Sequence, residues 1–134
     1  MTTLINRTLT LTTVGADTTI EVEYTAQFTV FERRLAGLGL VFREQIAVIG
    51  VDPPGGTTGS VLALFPVQTL PVVDGAVVQV IPRVRSLTVP RASLQEDPAA
   101  GDNDEIRCRI NILAIGLPPE FTPDAFTNQE ILVG

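Results

Sequence analysis

The densest group of side chains that could carry chemistry lies between residues 96 and 105. It contains five carboxylates, those of Glu96, Asp97, Asp102, Asp104 and Glu105. Calcium takes about six to eight oxygen ligands, and carboxylates commonly supply them in proteins. The composition therefore predicts a candidate calcium site in this segment. Calcium is the one cofactor that the sequence suggests.

The spacing of these acids also allows a simpler interpretation. They do not follow the EF-hand pattern, in which acidic ligands alternate ahead of a glycine and a later glutamate closes the loop. Sandwich proteins of the C2 type bind calcium with carboxylates from two loops. The nearest acids elsewhere in the sequence are Asp17, Asp52 and Asp74, and the sequence does not decide whether any of them lies at the same end of the sandwich. A solvated turn, whose carboxylates accept hydrogen bonds from nearby amides, explains the same composition without a metal.

Arginine supplies every basic side chain of the protein, and four arginines alternate with apolar residues. They form two pairs, Arg83 with Arg85 and Arg107 with Arg109. Residues two apart on a strand share one face. The simplest interpretation is an ordinary charged outer face. The alternative is ion pairing, across strands or across an interface, with carboxylates such as those of Glu21 and Glu23.

The residue inventory excludes most enzyme mechanisms. The chain has no histidine, and its nine basic residues include no lysine. Nucleophiles activated by histidine and lysine Schiff bases are therefore absent. Two carboxylates could serve a glycosidase or an aspartic dyad, but there is no Asp-Thr-Gly motif and only 5% of the residues are aromatic. We expect no enzyme, no catalytic residue and no small-molecule substrate.

Charge and hydropathy exclude two further classes of partner. The net charge of -6 and the sequence pI of about 4.5 argue against nucleic acid, whose phosphates are bound by clustered basic residues. The most apolar stretch, residues 61–81, is interrupted by Pro66, Pro71 and Asp74-Gly75, so we predict no transmembrane segment. The first residues lack the features of a signal peptide. A cytoplasmic location is the default expectation, with export inside an assembled particle as the alternative.

Alternation of apolar and polar residues predicts strands. The pattern is strongest over residues 20–30, and residues 8–12 show it as well. The turn formers between these two segments predict a hairpin. Further strands are predicted over 40–51, 60–67, 76–89, 105–115 and 129–133, with a hairpin turn at Asp74-Gly75. Helix is limited to one turn within 32–39 and a cap at 122–126. The single cysteine, Cys108, alternates with apolar residues, so we interpret it as a core residue.

About seven short strands with little helix predict one all-β domain covering residues 1–134. The expected architecture is an antiparallel β-sandwich, with a Greek-key immunoglobulin-like topology or a jelly roll as the two candidates. The sequence does not choose between them. The cysteine and tryptophan pattern of true immunoglobulin domains is absent.

Several predicted strands are apolar on both faces, although a sandwich strand needs only one apolar face. Their outer faces are covered either by the chain's own loops or by another subunit, and the mean hydropathy of +0.32 favours a subunit. The last strand could add to a neighbour's sheet or complete its own. The candidate interface residues are Leu62, Leu64, Val77, Ile81, Leu113, Ile115, Ile131, Leu132 and Val133.

These observations predict a non-enzymatic structural protein that assembles with itself, such as a subunit of a filament or particle. Apolar sheet faces, strand addition or both would provide the contacts, and the partner would be a further copy of the chain. The alternative is a monomeric sandwich module that binds a ligand or calcium through its loops.

Overall fold

The alternating segments of the sequence form long strands. The computed structural model describes residues 2–51, 59–94, 103–115 and 125–133. Along the chain the elements are β1 (Thr3–Val14), β2 (Asp17–Phe28), α1 (Val30–Gly37), β3 (Val41–Val51), β4 (Gly59–Leu64), β5 (Gln68–Thr69), β6 (Gln79–Pro90), a 3-10 helix (Arg91–Leu94), β7 (Asn103–Ile115) and β8 (Ala125–Val133). The all-β class predicted from the sequence is confirmed.

The strands form two antiparallel sheets. The three-stranded sheet has the order β1-β2-β6, and the five-stranded sheet has the order β4-β3-β7-β8, with β5 also pairing with β3. The pairs β2–β6 and β3–β7 join strands that are distant in sequence, as in an immunoglobulin-like Greek key, but β4 lies in the larger sheet. This likeness is architectural and by itself carries no function.

The core lies between the two sheets because the central strands turn alternate residues inward. In β2 every second residue from Thr18 to Phe28 is buried, and β7 repeats this from Ile106 to Ala114. The rings of Phe28 and Phe42 meet edge to face across the sheets, with their centroids 5.2 Å apart. Period-two alternation thus builds the apolar interior that the sequence predicted.

The predicted first hairpin is confirmed. Val14 pairs with Asp17, which leaves Gly15 and Ala16 as a two-residue turn. Gly15 has a φ of 62°. Glycine adopts this left-handed conformation without steric cost, and tight hairpin turns require it. The turn therefore fixes the register of β1 against β2.

The helical turn predicted within residues 32–39 is a helix of eight residues that begins earlier. Its start is set by a capping box. Thr29 Oγ1 accepts a hydrogen bond from the Glu32 N–H at 3.1 Å, and Glu32 Oε1 accepts one from the Thr29 N–H at 2.9 Å. These contacts satisfy backbone donors that a helix start leaves without partners.

Asp74-Gly75 is not a hairpin turn, and the strand predicted from residue 76 begins at Gln79. The chain crosses here from the five-stranded to the three-stranded sheet, so the flanking strands do not pair. Arg33 of α1 holds the crossover by donating to three backbone oxygens within residues 73–77 at 2.8 to 3.1 Å. A Cβ atom on Gly75 would lie 2.1 Å from this guanidinium, which explains the glycine.

The helix cap predicted at 122–126 falls partly outside the described residues, and its last two residues, Ala125 and Phe126, begin β8 instead. Within the part of the chain that the structure describes, no helix has the length and apolar character to span a membrane.

Candidate functional site

A buried carboxylate, Glu44 of β3, lies between the two sheets and has no exposed surface. Three side chains of the three-stranded sheet donate hydrogen bonds to it. The Tyr24 hydroxyl and Arg83 Nε bind its Oε2, the latter at 3.2 Å, and Arg85 Nη1 binds its Oε1. These four residues are called the Glu44 network below. They join β3 to β2 and β6 across the interior.

The strand register explains why these side chains meet. Tyr24 and Arg83 are directly paired across β2 and β6, and Arg85 follows two residues later on the same face. An isolated buried carboxylate would be strongly unfavourable, so its burial requires charged and hydrogen-bonding partners. The network supplies two guanidinium groups and a phenol.

The phenol of Tyr24 is held in its protonated form. Burial is the main cause, and the hydrogen bond to Glu44 and the negative charge of Glu44 act in the same direction, so the pKa lies above its ordinary value of 10.0. Tyr24 is therefore a hydrogen-bond donor to the carboxylate throughout the neutral range.

The prediction of an outer charged face for Arg83 and Arg85 is wrong, because both point into the sandwich. Arg85 is only 8% exposed. The suggested partners Glu21 and Glu23 lie on the opposite face of β2, and Glu44 takes their place. Sequence reasoning missed Glu44, although a signal exists, since it occupies an inward position of an otherwise apolar alternation in β3.

The Glu44 network also fixes the chain segment that follows β4. Arg85 Nη2 donates to the carbonyl oxygen of Pro66 at 2.9 Å, and its guanidinium lies 5.8 Å from the ring centroid of Phe65. Arg83 Nη2 contacts Gln68 Oε1 at 2.5 Å. The network thus positions residues 65–68 against the edge of β3.

This segment forms one wall of a groove on the outer face of the five-stranded sheet. The groove has a volume of about 500 Å³, and its lining residues are Gln45, Ile46, Ala47, Leu64, Phe65, Val67, Arg109, Asn111 and Leu113. Leu64 is 67% exposed and Val67 is 52% exposed. The groove therefore offers apolar walls to solvent beside polar groups from β3 and β7.

Basic residues surround the groove, although the whole protein is acidic. The outer face of the five-stranded sheet, called the basic face below, carries Arg43, Arg107 and Arg109, with Glu105 as the acid among its described outward positions. Arg107 and Arg109 share this face, as the alternation predicted. Within the described ranges, neither Arg43 nor Arg109 forms an ion pair. Both charges are thus available to a partner.

The outer face that β2 and β6 form in the three-stranded sheet has the opposite charge. This acidic face carries Glu21 and Glu23 on β2, and the outward positions of β2 and β6 include no arginine. Beside the acids, Val80 and Val84 of β6 are 55% and 63% exposed. Pro82 lies between them. The acidic face therefore presents an apolar ridge next to a row of carboxylates.

The predicted interface residues divide into three groups. Leu64, Val77, Ile115 and Ile131 are exposed, and Leu62 and Leu113 are half-buried. Ile81 and Leu132, in contrast, are 8% and 2% exposed and face the core, where another chain cannot reach them. The sequence pattern predicted an outer face for them, because a strand with apolar residues at successive positions does not show which side chains point inward. The side chain of Val133 is outside the described set.

In β3, which is apolar on both faces, two outward side chains are covered by the protein itself. Ala47 and Ile49 point outward from β3 but are only 5% and 1% exposed. In the register, Leu64 and Arg109 flank Ala47, and Val61 and Arg107 flank Ile49. Neighbouring strands of the same sheet thus explain part of the apolar surplus without a partner.

The last strand completes its own sheet. β8 pairs with β7, and Asn128 of β8 also reaches β1, where its Oδ1 accepts from the Leu9 N–H at 2.7 Å and its Nδ2 approaches the Leu9 oxygen at 3.5 Å. Residues 129–133 are therefore not an unpaired segment, but β8 is the outermost strand of the five-stranded sheet. Strand addition at this edge stays a prediction.

Most of the candidate calcium ligands lie outside the described residues. Glu96, Asp97 and Asp102 are in undescribed segments, and the side chain of Asp104 is not described either. Glu105 lies on the basic face, where its Oε2 is buried without a hydrogen-bond partner. In the described ranges, no three His, Cys, Asp or Glu side chains are grouped to hold a metal. Calcium binding stays a prediction.

Cys108 is fully buried in β7, as the alternation predicted. Burial raises the pKa of its thiol to about 12, so the reactive thiolate is strongly disfavoured. The neighbouring Thr127 accepts the Cys108 backbone N–H at 2.8 Å. The cysteine is part of the interior and not of a site.

Comparisons with protein-family models, with curated proteins and with solved structures give no match to this chain. Its class is therefore defined by its own architecture, an all-β sandwich of two antiparallel sheets. The groove on the basic face, supported by the Glu44 network, is the candidate functional site.

Proposed function

We propose that this protein is a non-enzymatic assembly subunit and that the groove on the basic face binds a second copy of the chain. The observation that supports this proposal is an open groove of about 500 Å³ whose walls include the exposed side chains of Leu64 and Val67. A concave surface that combines exposed apolar side chains with a few polar groups is typical of binding sites. The inventory of reactive side chains supports a binding role over catalysis.

Energetics favour the groove as the contact surface. Complete burial of a leucine or valine side chain contributes about 1.5–3 kcal/mol, and both residues still expose more than half of their surface. The groove wall is also preorganised, because Arg85 holds Pro66 and Phe65 in place. A wall that is already ordered loses less conformational entropy when a partner binds.

Size-exclusion chromatography with light scattering tests this function. We expect the wild-type protein to be oligomeric at tens of micromolar and Leu64→Glu to be monomeric, because the substitution removes an apolar contact and its carboxylate would have to lose water when the partner covers the groove. The matched control is Leu38→Glu at the end of α1, since Leu38 is 86% exposed and lies outside the groove. The control should assemble like the wild type.

A monomeric wild-type protein at these concentrations would refute the assembly proposal. Circular dichroism of both variants separates loss of assembly from loss of folding. Running the experiment with EDTA and again with millimolar calcium also tests the predicted acidic site, because calcium-dependent assembly would assign it a role.

A second candidate function is a monomeric module that binds an apolar carboxylate, and Arg109 favours it. This guanidinium lies in the groove beside Asn111, and a volume of about 500 Å³ falls within the usual range of ligand sites. The two functions differ in one readout. A monomer that binds decanoate in calorimetry, with binding lost in Arg109→Gln, would support the second function over the first.

A further inference from the structure

The two outer faces of the sandwich carry opposite charges. On the basic face, Arg43 of β3 and Arg109 of β7 form no ion pair within the described ranges. On the acidic face, Glu21 and Glu23 share the outward side of β2. Each face therefore carries charge of the sign that the other face attracts.

The apolar features next to these charges are complementary as well. The basic face has a groove with Leu113 on its lining, and Leu113 pairs directly with Arg43 in the register. The acidic face has a ridge instead, in which Val84 pairs directly with Glu23. Each face thus places an apolar feature beside a charge, with a groove on one and a ridge on the other.

Contact between two copies through the same face is disfavoured by this arrangement. Two basic faces would bring Arg43 and Arg109 of each copy toward one another, and two acidic faces would do so with Glu21 and Glu23. Like charges brought together at an interface cost several kcal/mol. Contact between unlike faces brings opposite charges together instead.

We propose that the basic face of one copy binds the acidic face of the next, with the ridge of Val80 and Val84 seated in the groove. This inference rests on the proposed function and specifies the partner surface. The contact is head-to-tail, since the two faces are different surfaces of the same chain. Such contacts form rings when the rotation closes and open filaments when it does not.

Charge-reversed variants test this pairing. One variant carries Arg43→Glu and Arg109→Glu, so that both of its faces are acidic, and the other carries Glu21→Arg and Glu23→Arg, so that both are basic. We expect each alone to be monomeric, with the dissociation constant raised at least about 100-fold over the wild type. An equimolar mixture should assemble again, because each face then meets an opposite one.

Leu38→Glu is again the matched control, because Leu38 is 86% exposed at the end of α1 and its substitution changes the net charge without altering either face. It should assemble like the wild type. Circular dichroism establishes that all variants are folded, and the exposure of Arg43 and Glu23 makes this the expected result.

The outcomes separate this inference from the function on which it rests. If the wild type assembles and the Glu21 and Glu23 variant assembles equally well, the head-to-tail pairing is refuted while self-assembly stands. Failure of the mixture to assemble refutes the pairing too. If the wild type is monomeric, both proposals are overturned.

Discussion

The two edges of the sandwich are closed by different chemistry. At the edge between β1 and β8, the neutral amide of Asn128 contacts both backbone groups of Leu9. At the edge between β6 and the segment after β4, Arg85 connects the buried Glu44 to the carbonyl oxygen of Pro66. One edge uses an amide and the other uses ions.

The two edges differ in how many neighbouring groups their side chains can hold in place. The Asn128 amide replaces a missing strand neighbour, because both backbone groups of Leu9 point away from β2 and would otherwise lack a protein partner. The guanidinium of Arg85 has more donors and reaches further, so it can join a carboxylate, a carbonyl and an aromatic ring. The ionic edge therefore supports the groove wall, but its charges make it the more vulnerable edge.

The largest expected effect is at the ionic edge. Glu44→Ala should lower the free energy of unfolding by about 3–5 kcal/mol, because Arg85 then remains buried without its anion. Urea denaturation of the purified variant measures this. Replacing Glu44 and Arg85 together by leucine should cost clearly less than Glu44→Ala. If the double variant costs more, the ion pairs of the Glu44 network stabilise the fold by more than the amount needed to compensate for burying their charges.

The amide edge should show a smaller effect. Asn128→Ala removes the acceptor for the Leu9 N–H, and a lost hydrogen bond of this kind lowers the free energy of unfolding by about 0.5–1.5 kcal/mol. The same denaturation experiment applies. A loss as large as that of Glu44→Ala would contradict the contrast between the two edges. Asn128→Asp keeps the acceptor for the Leu9 N–H, but it removes the donor and places a negative charge beside Glu130, which the amide contacts at 2.8 Å.

Tyr24 provides a pH-dependent readout of the ionic edge. Because the pKa of Tyr24 in the folded protein is above 10.0, the phenol ionises first in the unfolded protein. The contribution of Tyr24 to the free energy of unfolding is therefore complete below pH 10 and is lost as the pH rises further. Tyr24→Phe should therefore show a shallower alkaline decline. The difference between the two proteins cancels the parallel contribution of Cys108, whose pKa is also raised.

The same prediction has a direct spectroscopic check. Tyr24 is the one tyrosine of the chain, and there is no tryptophan. Tyrosinate absorbance therefore reports this residue alone. We expect folded protein to show no ionisation at pH 10, and ionisation with an ordinary midpoint would contradict the buried hydrogen bond to Glu44.

The smallest effect is expected at the exposed end of the ionic edge. Gln68→Ala removes the contact to Arg83, and because Gln68 is exposed, water can replace it. The free energy of unfolding should change by less than about 0.5 kcal/mol. A larger loss would show that the segment after β4 depends on Gln68 and not on Arg85.

Much of the fold could be predicted from the sequence, because period-two alternation is a local property. The strand over residues 20–30 and its hairpin partner illustrate this, since alternation and a glycine turn specify both. The helix start was also encoded locally by Thr29 and Glu32. The pairing of β2 with β6 was not predictable, because it depends on contacts between segments far apart in the chain.

The candidate site could be predicted only in part. The shared face of Arg107 and Arg109 follows from their spacing, but the inward direction of Arg83 and Arg85 does not. The sequence pattern of such an arginine pair predicts exposed side chains unless a buried anion is known to bind them. Here that anion is Glu44, which is on a different sheet. Burial of charge is decided by a distant partner, so local patterns cannot reveal it.

The strand order described above also has a kinetic consequence. β2 cannot complete its sheet until β6 arrives, and α1 and three strands lie between them in the chain. Closing such a long loop costs entropy before any pairing is gained, and proteins dominated by distant contacts fold in roughly milliseconds to seconds. During that interval β2 has an unpaired edge. We therefore expect refolding yield to fall as protein concentration rises, because an unpaired edge can add to another chain.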